Sequence, residues 1–268
     1  MAAPVVVGLV LGTLACAGFA PPQGTPVADP RFPASQVFHP EGPPKGVVVL
    51  LHGSEGGQAP YSAYLAKRLA DDGYVAAVFC WYDCGGTAPD VIQRVPLERT
   101  VAFVDWVRAN DGSGLPLTLY GASRGAEHAV LLASLLKADD RLDAVAVHAP
   151  SDTVVASFDP ATWNAITVDG GYDAAWTWEG EPLYGERSTP PFGTGPRIAI
   201  EDYPGPLWLS HGEDDPLWPA VRSRALAGSR TPEQPTELVV WPDMGHVPSP
   251  RQFEEVVGSL EAFLERVD

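Results

Sequence analysis

From about residue 45 onward, short, mostly apolar runs alternate with segments whose apolar residues recur every three or four positions. The runs are 47–51, which is continuous, and 75–79, 117–120, 142–147, 207–210 and 238–241. Each has the length and composition of a strand buried on both faces. Between them, 61–71, 97–107, 126–136, 220–226 and 253–267 carry helical spacing, with Leu65 and Leu69 on one face and Val101, Val104 and Val107 at three-residue steps. Such alternation predicts an α/β fold: a mostly parallel sheet flanked by helices. One stretch breaks the rhythm. Residues 151–203 have no clear period and hold Trp163, Tyr172, Trp176, Trp178, Tyr184 and Phe192 among glycines and prolines. A stretch of that length inside a compact domain reads as an insertion or cap. Its aromatics suit the wall of an apolar acyl pocket, and equally they suit the small core that keeps such an insertion ordered.

The N-terminus follows different rules. Residues 5–20 are apolar or small apart from Thr13, and no ionised side chain precedes Asp29. The run is short for a membrane span and predicts an export signal over residues 1–20. Thr13-Leu14-Ala15-Cys16 resembles a lipoprotein box, which would anchor the chain to a membrane through a lipid on Cys16. Cleavage after Ala17 or Ala20 would instead release a soluble protein, and an uncleaved cytoplasmic N-terminus is the remaining alternative. Proline-rich residues 21–44 read as a linker, which leaves 45–268 as one α/β domain of ample size for a core. The net charge of −17 argues against nucleic acid and anionic membrane surfaces as partners. Cys80 and Cys84 form a local disulfide if the chain is exported and are free thiols if it is not. Two cysteines without further ligands make no zinc site, so no metal is expected.

The chemistry enters at Gly121-Ala122-Ser123-Arg124-Gly125, set between an apolar run and a helical segment. A serine between glycines at a strand-to-helix turn is a nucleophile elbow, because only small residues fit where backbone crowds backbone. A serine hydroxyl needs a base, and the base needs an orienting acid. In parallel sheets such groups follow the carboxyl ends of strands. The next strand-ending acid lies in His211-Gly212-Glu213-Asp214-Asp215-Pro216, where Asp215 has the usual spacing and Asp214 is its neighbour. The last strand leads to Gly245-His246. The predicted catalytic set is therefore Ser123, Asp215 and His246. The oxyanion donors are the backbone N–H groups of Arg124, after the nucleophile, and of Ser54, in His52-Gly53-Ser54-Glu55-Gly56-Gly57 after the first apolar run. His148 also ends a strand, with Asp152 after it, and is a further site candidate. His52, His128 and His211 read as packing and hydrogen-bonding residues, His39 falls in the linker, and Asp243 reads as a turn residue.

Gly121 to Glu127, the stretch 175–183, Gly212 to Pro219 and Gly245-His246 together resemble the acyl-CoA thioester hydrolase / bile-acid-CoA:amino-acid N-acyltransferase C-terminal family of the α/β-hydrolase superfamily. The resemblance covers roughly residues 45 to 268. It implies an α/β-hydrolase fold, a Ser-His-Asp triad, an acyl-enzyme, no cofactor and a small acyl ester or thioester as substrate. Ser123 points to hydrolysis, since the amide-forming acyltransferases of that family are associated with cysteine; dienelactone-hydrolase-like enzymes, close in pattern, also look for cysteine. Acyl transfer to an amine, or a non-catalytic binding protein, are the alternatives. Residues 21–44 are too short for the N-terminal β-sandwich of the longer family members. The acidic chain, with only Arg94, Arg99 and Arg124 as sparse cations near the site, fits a polyanionic CoA ester poorly.

Overall fold

The computed structural model describes residues 20–57, 59–162, 164–186 and 195–267. The signal segment and Cys16 therefore lie outside the described residues, apart from Ala20. The main sheet has eight strands: β1 (Thr25–Pro26), β2 (Gln36–Phe38), β3 (Gly46–Leu51), β4 (Tyr74–Phe79), β5 (Leu117–Ala122), β6 (Ala144–His148), β7 (Leu207–Gly212) and β8 (Thr236–Trp241). Their spatial order is β1-β2-β4-β3-β5-β6-β7-β8. β1 and β2 pair antiparallel, as do β2 and β4. All other neighbours are parallel.

Parallel neighbours demand crossovers, and four helices lie in them: α1 (Pro60–Asp71), α2 (Glu98–Asn110), α3 (Arg124–Leu136) and α4 (Val221–Ser229); α5 (Pro250–Leu264) follows the last strand and packs back on the sheet. Alternation along each strand splits the core in two. On one face, Val47, Val49 and Leu51 of β3 pack with Phe103 and Val107 of α2 and Ala129 and Val130 of α3. On the other, Val48 and Leu50 pack with Leu65 and Leu69 of α1 and Val257 and Leu260 of α5. The central strands β3 and β4 are apolar or glycine at every position because both faces are covered. Full burial of each such valine or leucine contributes about 1.5–3 kcal/mol. α5 begins three residues before its apolar period does. Ser249 and Gln252 close a reciprocal capping box and Pro250 takes the first helical turn, so the polar start is fixed by hydrogen bonds rather than by packing.

The linker reading of residues 21–44 is corrected. This segment supplies β1 and β2, and Phe32 between them is buried against Phe79 and Phe103. Pro26 sits in β1, at the sheet edge, where a missing N–H is tolerated.

The 151–203 insertion follows β6. Its described part forms short hairpins, Phe158–Asp159 with Asn164–Ala165, Thr167–Val168 with Gly171–Tyr172, and Trp176–Trp178 with Glu181–Leu183. Trp176 also runs parallel beside Val95–Pro96. Two buried arginines pin the insertion down. Arg222 of α4 donates to Ser151, Asp152, Thr153 and Glu186. Arg124 of α3 donates to the carbonyls of Val155 and Ala156. Trp176 is fully buried, Trp178 half-buried, and Tyr172 and Tyr184 are exposed, so the aromatics divide between core and surface. Trp163 and Phe192 lie outside the described residues. No helix among the described residues is long and apolar enough to cross a membrane.

Candidate active site

Ser123 sits between the end of β5 and the start of α3, with φ 54° and ψ −120°. That conformation costs a non-glycine residue about 1–3 kcal/mol. The surroundings hold it there. Ser123 N–H donates to the carbonyl of His148 at 2.9 Å. A Cβ on Gly121 would strike the Gly125 carbonyl, and one on Gly125 would strike the Leu51 carbonyl. The two flanking glycines are thus required by the close approach of three backbone segments.

His246 comes from the loop after β8 and Asp215 from the loop after β7. His246 Nε2 lies 2.8 Å from Ser123 Oγ, and its Nδ1 lies 2.6 Å from Asp215 Oδ2. The three residues proposed from sequence therefore form one hydrogen-bonded chain, and the alternatives Asp214 and Asp243 are not in it. Asp215 is buried, and burial by itself would raise its carboxyl. Hydrogen bonds from His211 and His246 outweigh that and hold it well below the usual carboxylate range. Its Oδ1 also accepts the N–H groups of Leu217 and Trp218, at 2.8 and 2.9 Å. An ionised Asp215 makes His246 Nδ1 the donor and leaves Nε2 as the acceptor facing the serine hydroxyl.

Sequence reasoning placed His211 among packing residues. It is a second histidine on the same carboxylate: Nε2 lies 3.1 Å from Asp215 Oδ2 and 2.7 Å from the Trp218 carbonyl, and Nδ1 faces Ser223 Oγ at 2.7 Å. The strand-ending His-Gly pair was the available signal. His148 lies beneath the triad. Its Nδ1 meets Ser210 Oγ at 3.0 Å, and that oxygen accepts Trp241 Nε1 at 2.8 Å. Burial, with His246 and His211 nearby, pushes the imidazole down to about 3. A neutral, buried ring of this kind supports its neighbours and is no proton shuttle at neutral pH. His128, as expected of a packing residue, is buried with Nε2 at 2.8 Å from Thr100 Oγ1.

The two proposed oxyanion donors are placed differently. Arg124 opens α3, so its N–H has no intrahelical acceptor and lies at the positive end of the helix dipole. Its side chain turns away: the buried guanidinium pairs with Glu127 at 2.5 Å, and Glu127 also accepts Val155 N–H and Trp176 Nε1. Burial lowers the Arg124 guanidinium and raises the Glu127 carboxyl. Among the described residues, Ser54 N–H has no main-chain acceptor. Its carbonyl accepts the Tyr82 hydroxyl.

Cys80 and Cys84 form a disulfide, and the five-residue segment it closes clasps the loop of residues 52–57. A Cβ on Gly57 would overlap Cys80 Sγ, and one on Gly56 would lie 2.7 Å from Asp83 Oδ2. Trp81 stacks on His52, donates Nε1–H to the His52 carbonyl, and donates its N–H to His52 Nε2. His52, Cys80 and Cys84 bring their ligand atoms within 4.8 Å of one another. With both sulfurs bonded together and both ring nitrogens engaged, the trio acts as a clasp rather than a metal site. Reducing the bond is expected to lower kcat about tenfold with a smaller change in KM, since it frees the loop that carries the proposed Ser54 donor. It should also cost about 2 kcal/mol of stability by the loop-entropy relation. Activity and thermal midpoint measured with and without dithiothreitol, with a Cys80→Ala/Cys84→Ala variant as control, check this. Unchanged kcat would show that the loop holds its shape without the bond.

The sequence matches the Alpha/beta hydrolase family over residues 48–258. No curated protein matches it. Among solved structures it is similar to Est1E from Butyrivibrio proteoclasticus, solved with ferulic acid bound, at 18% identity and a TM-score of 0.61, covering 87% of this chain and 94% of that one. The esterase domain of a Rhodothermus marinus protein gives 17% identity and 0.59, over 87% and 93%. A monoacylglycerol lipase from Paleococcus ferrophilus gives 17% and 0.60, over 87% and 98%. At these identities the likeness speaks to the fold.

Proposed function

Because the chain belongs to the alpha/beta hydrolase family, we propose that it is a serine hydrolase cleaving acyl esters through Ser123, His246 and Asp215. The observation that carries this reading is the unbroken chain from Ser123 Oγ to His246 at 2.8 Å and on to Asp215 at 2.6 Å. Ser123 Oγ attacks the acyl carbonyl as His246 Nε2 takes its proton. The negative charge of the tetrahedral intermediate falls to the N–H groups of Arg124 and Ser54. Asp215 stabilises the imidazolium, held in place from behind by His211. His246 then gives the proton to the departing alcohol, leaving an acyl-enzyme. Water, activated by the same histidine, releases the acid by the reverse sequence.

The resemblance of the elbow and of the Glu213-Asp214-Asp215 stretch to acyl-CoA thioester hydrolases makes thioesters the rival substrate. The net charge of −17 weighs against a polyanionic leaving group. So does the state of the nearby cations: Arg94 pairs with Asp173, Arg124 is buried on Glu127, and Arg99 donates to the Trp81 carbonyl. The neighbours named as esterase and lipase lean the same way. The Cys80–Cys84 disulfide supports export to an oxidising compartment, where CoA is scarce. The test is a panel of p-nitrophenyl esters of graded chain length beside acyl-CoA thioesters. Esters are expected to turn over with kcat/KM at least tenfold above the CoA thioesters. The reverse ranking would move the assignment to thioesterase.

A further inference from the structure

The carboxylate of Asp215 is engaged on both oxygens. Oδ1 accepts the main-chain N–H groups of Leu217 and Trp218, and Oδ2 faces both His246 Nδ1 and His211 Nε2. Among the described residues no lysine or arginine pairs with it. The main chain settles where the acid loop lies. Asp214 N–H donates to the Met244 carbonyl and Glu213 N–H to the Trp241 carbonyl, each at 2.9 Å. A Cβ on Gly212 would lie 2.3 Å from the carbonyls of Met244 and Gly245. The acid and histidine loops are thus zipped backbone to backbone. That fixes the Cα of Asp215. The direction of its carboxylate is left to the groups that hold the two oxygens, and only His211 holds Oδ2 from the side away from His246.

The proton on His211 can be placed from its partners. Nε2 lies 2.7 Å from the Trp218 carbonyl and 3.1 Å from Asp215 Oδ2. Both are acceptors, so Nε2 carries the N–H and shares it between them. Nδ1 lies 2.7 Å from Ser223 Oγ and receives the serine hydroxyl proton. A carbonyl on one side and a hydroxyl on the other therefore fix the ring, which bridges the end of β7 to α4. His211 and Ser223 are fully buried, so water cannot replace either bond.

We propose that His211 and Ser223 are positioning residues of the triad: Ser223 orients the His211 ring, and the His211 Nε2–H keeps Asp215 Oδ2 in line with His246 Nδ1 as positive charge develops on His246. This rests on the serine-hydrolase reading and deepens it. Neither residue touches the substrate, and the proton exchange stays between Ser123 and His246. The effect passes through Asp215. The imidazolium is stabilised only while Oδ2 stays on the axis of Nδ1–H, and a carboxylate anchored through Oδ1 alone can rotate away from it. The loss of His211 is therefore felt in the transition state, in kcat rather than KM.

The experiment is a double-mutant cycle on one p-nitrophenyl ester, with fluorophosphonate labelling and a thermal midpoint measured for each variant. His211→Phe keeps a ring and removes both nitrogens. It is expected to lower kcat about ten- to a hundredfold, the effect of one hydrogen bond to a charged group, with KM nearly unchanged. His211→Gln keeps an amide N–H at the reach of Nε2 and is expected to recover kcat to within about fivefold of wild type. Ser223→Ala is expected to cost about three- to tenfold. In an Asp215→Ala background, His211→Phe should cost less than about a further twofold, because a residue that acts through Asp215 then has nothing to act on. If the thermal midpoint shows that His211→Phe does not fold, His211→Asn takes its place in the cycle, since its shorter amide cannot reach Oδ2. Equal loss in the phenylalanine and glutamine variants, equal loss in both backgrounds, or unchanged kcat in Ser223→Ala would overturn the proposal. A wild-type enzyme that takes no fluorophosphonate label would overturn the serine-hydrolase reading instead.

Discussion

Ser123→Ala is expected to lower kcat on an activated ester by about 10⁴–10⁶-fold and to abolish fluorophosphonate labelling, while the urea midpoint moves little. The activity loss follows from geometry. Ser123 Oγ is the atom that His246 Nε2 faces at 2.8 Å, and a methyl group there can neither attack nor give up a proton. The stability result follows from the elbow. Alanine keeps the backbone at φ 54°, and the contacts that enforce that angle belong to Gly121, Gly125 and His148, not to the serine hydroxyl. His246→Ala should lose a similar factor, and the double variant should be little worse than either single one, because the two residues act as one unit. Residual turnover above about one percent of wild type in Ser123→Ala would place the nucleophile elsewhere; so would a strictly additive double variant.

Acid is expected to unfold the protein steeply below about pH 4.5. Three histidines are buried as neutral rings. Burial pushes His52 down to about 4 and His128 and His148 down to about 3. A base whose folded-state affinity is depressed takes up its proton in the unfolded chain first. Stability is therefore fully present above the unfolded value near 6.5 and lost as pH falls toward the folded values. Each ring contributes up to about 1.4 kcal/mol per pH unit across that window. Between pH 6.5 and 4.5 the loss is partly offset by Glu55, Glu127 and Glu261, whose carboxyls burial raises, so that the folded state binds those protons first. Below pH 4.5 that offset ends, since both states are then protonated there. Asp173, held low chiefly by Arg94, and Asp215, held low by His211 and His246 against its burial, add to the loss. Intrinsic tryptophan fluorescence followed from pH 7 to 3 checks the onset. His128→Gln should make the transition shallower by about one proton, and an unchanged slope in that variant would mean His128 is not neutral in the fold.

Much of this protein can be read along the chain, for identifiable reasons. Each central strand is covered on both faces, so its burial writes a mostly apolar run, and the order of these runs and helices already implies a parallel sheet. The elbow is legible because backbone crowding admits so few residue types at 121 and 125. The triad could be proposed in order because parallel topology places each member directly after a strand. The first two strands, Thr25–Pro26 and Gln36–Phe38, were not legible. They are too short for a period, and what fixes them is Phe32 reaching a core built from residues far along the chain. His211 read as a packing residue for a similar reason. Its role depends on Asp215 Oδ2 having room for two histidines, which no spacing encodes.

The sequence by itself determined the fold class and named Ser123, Asp215 and His246, since periodicity and backbone crowding are local constraints that leave a local trace. The tertiary structure alone decided that these three meet, that His211 shares the carboxylate, and that the Cys80–Cys84 loop clasps the loop of residues 52–57. Those are distances and environments between segments widely separated in the chain. They exist only once the sheet has fixed where each strand ends.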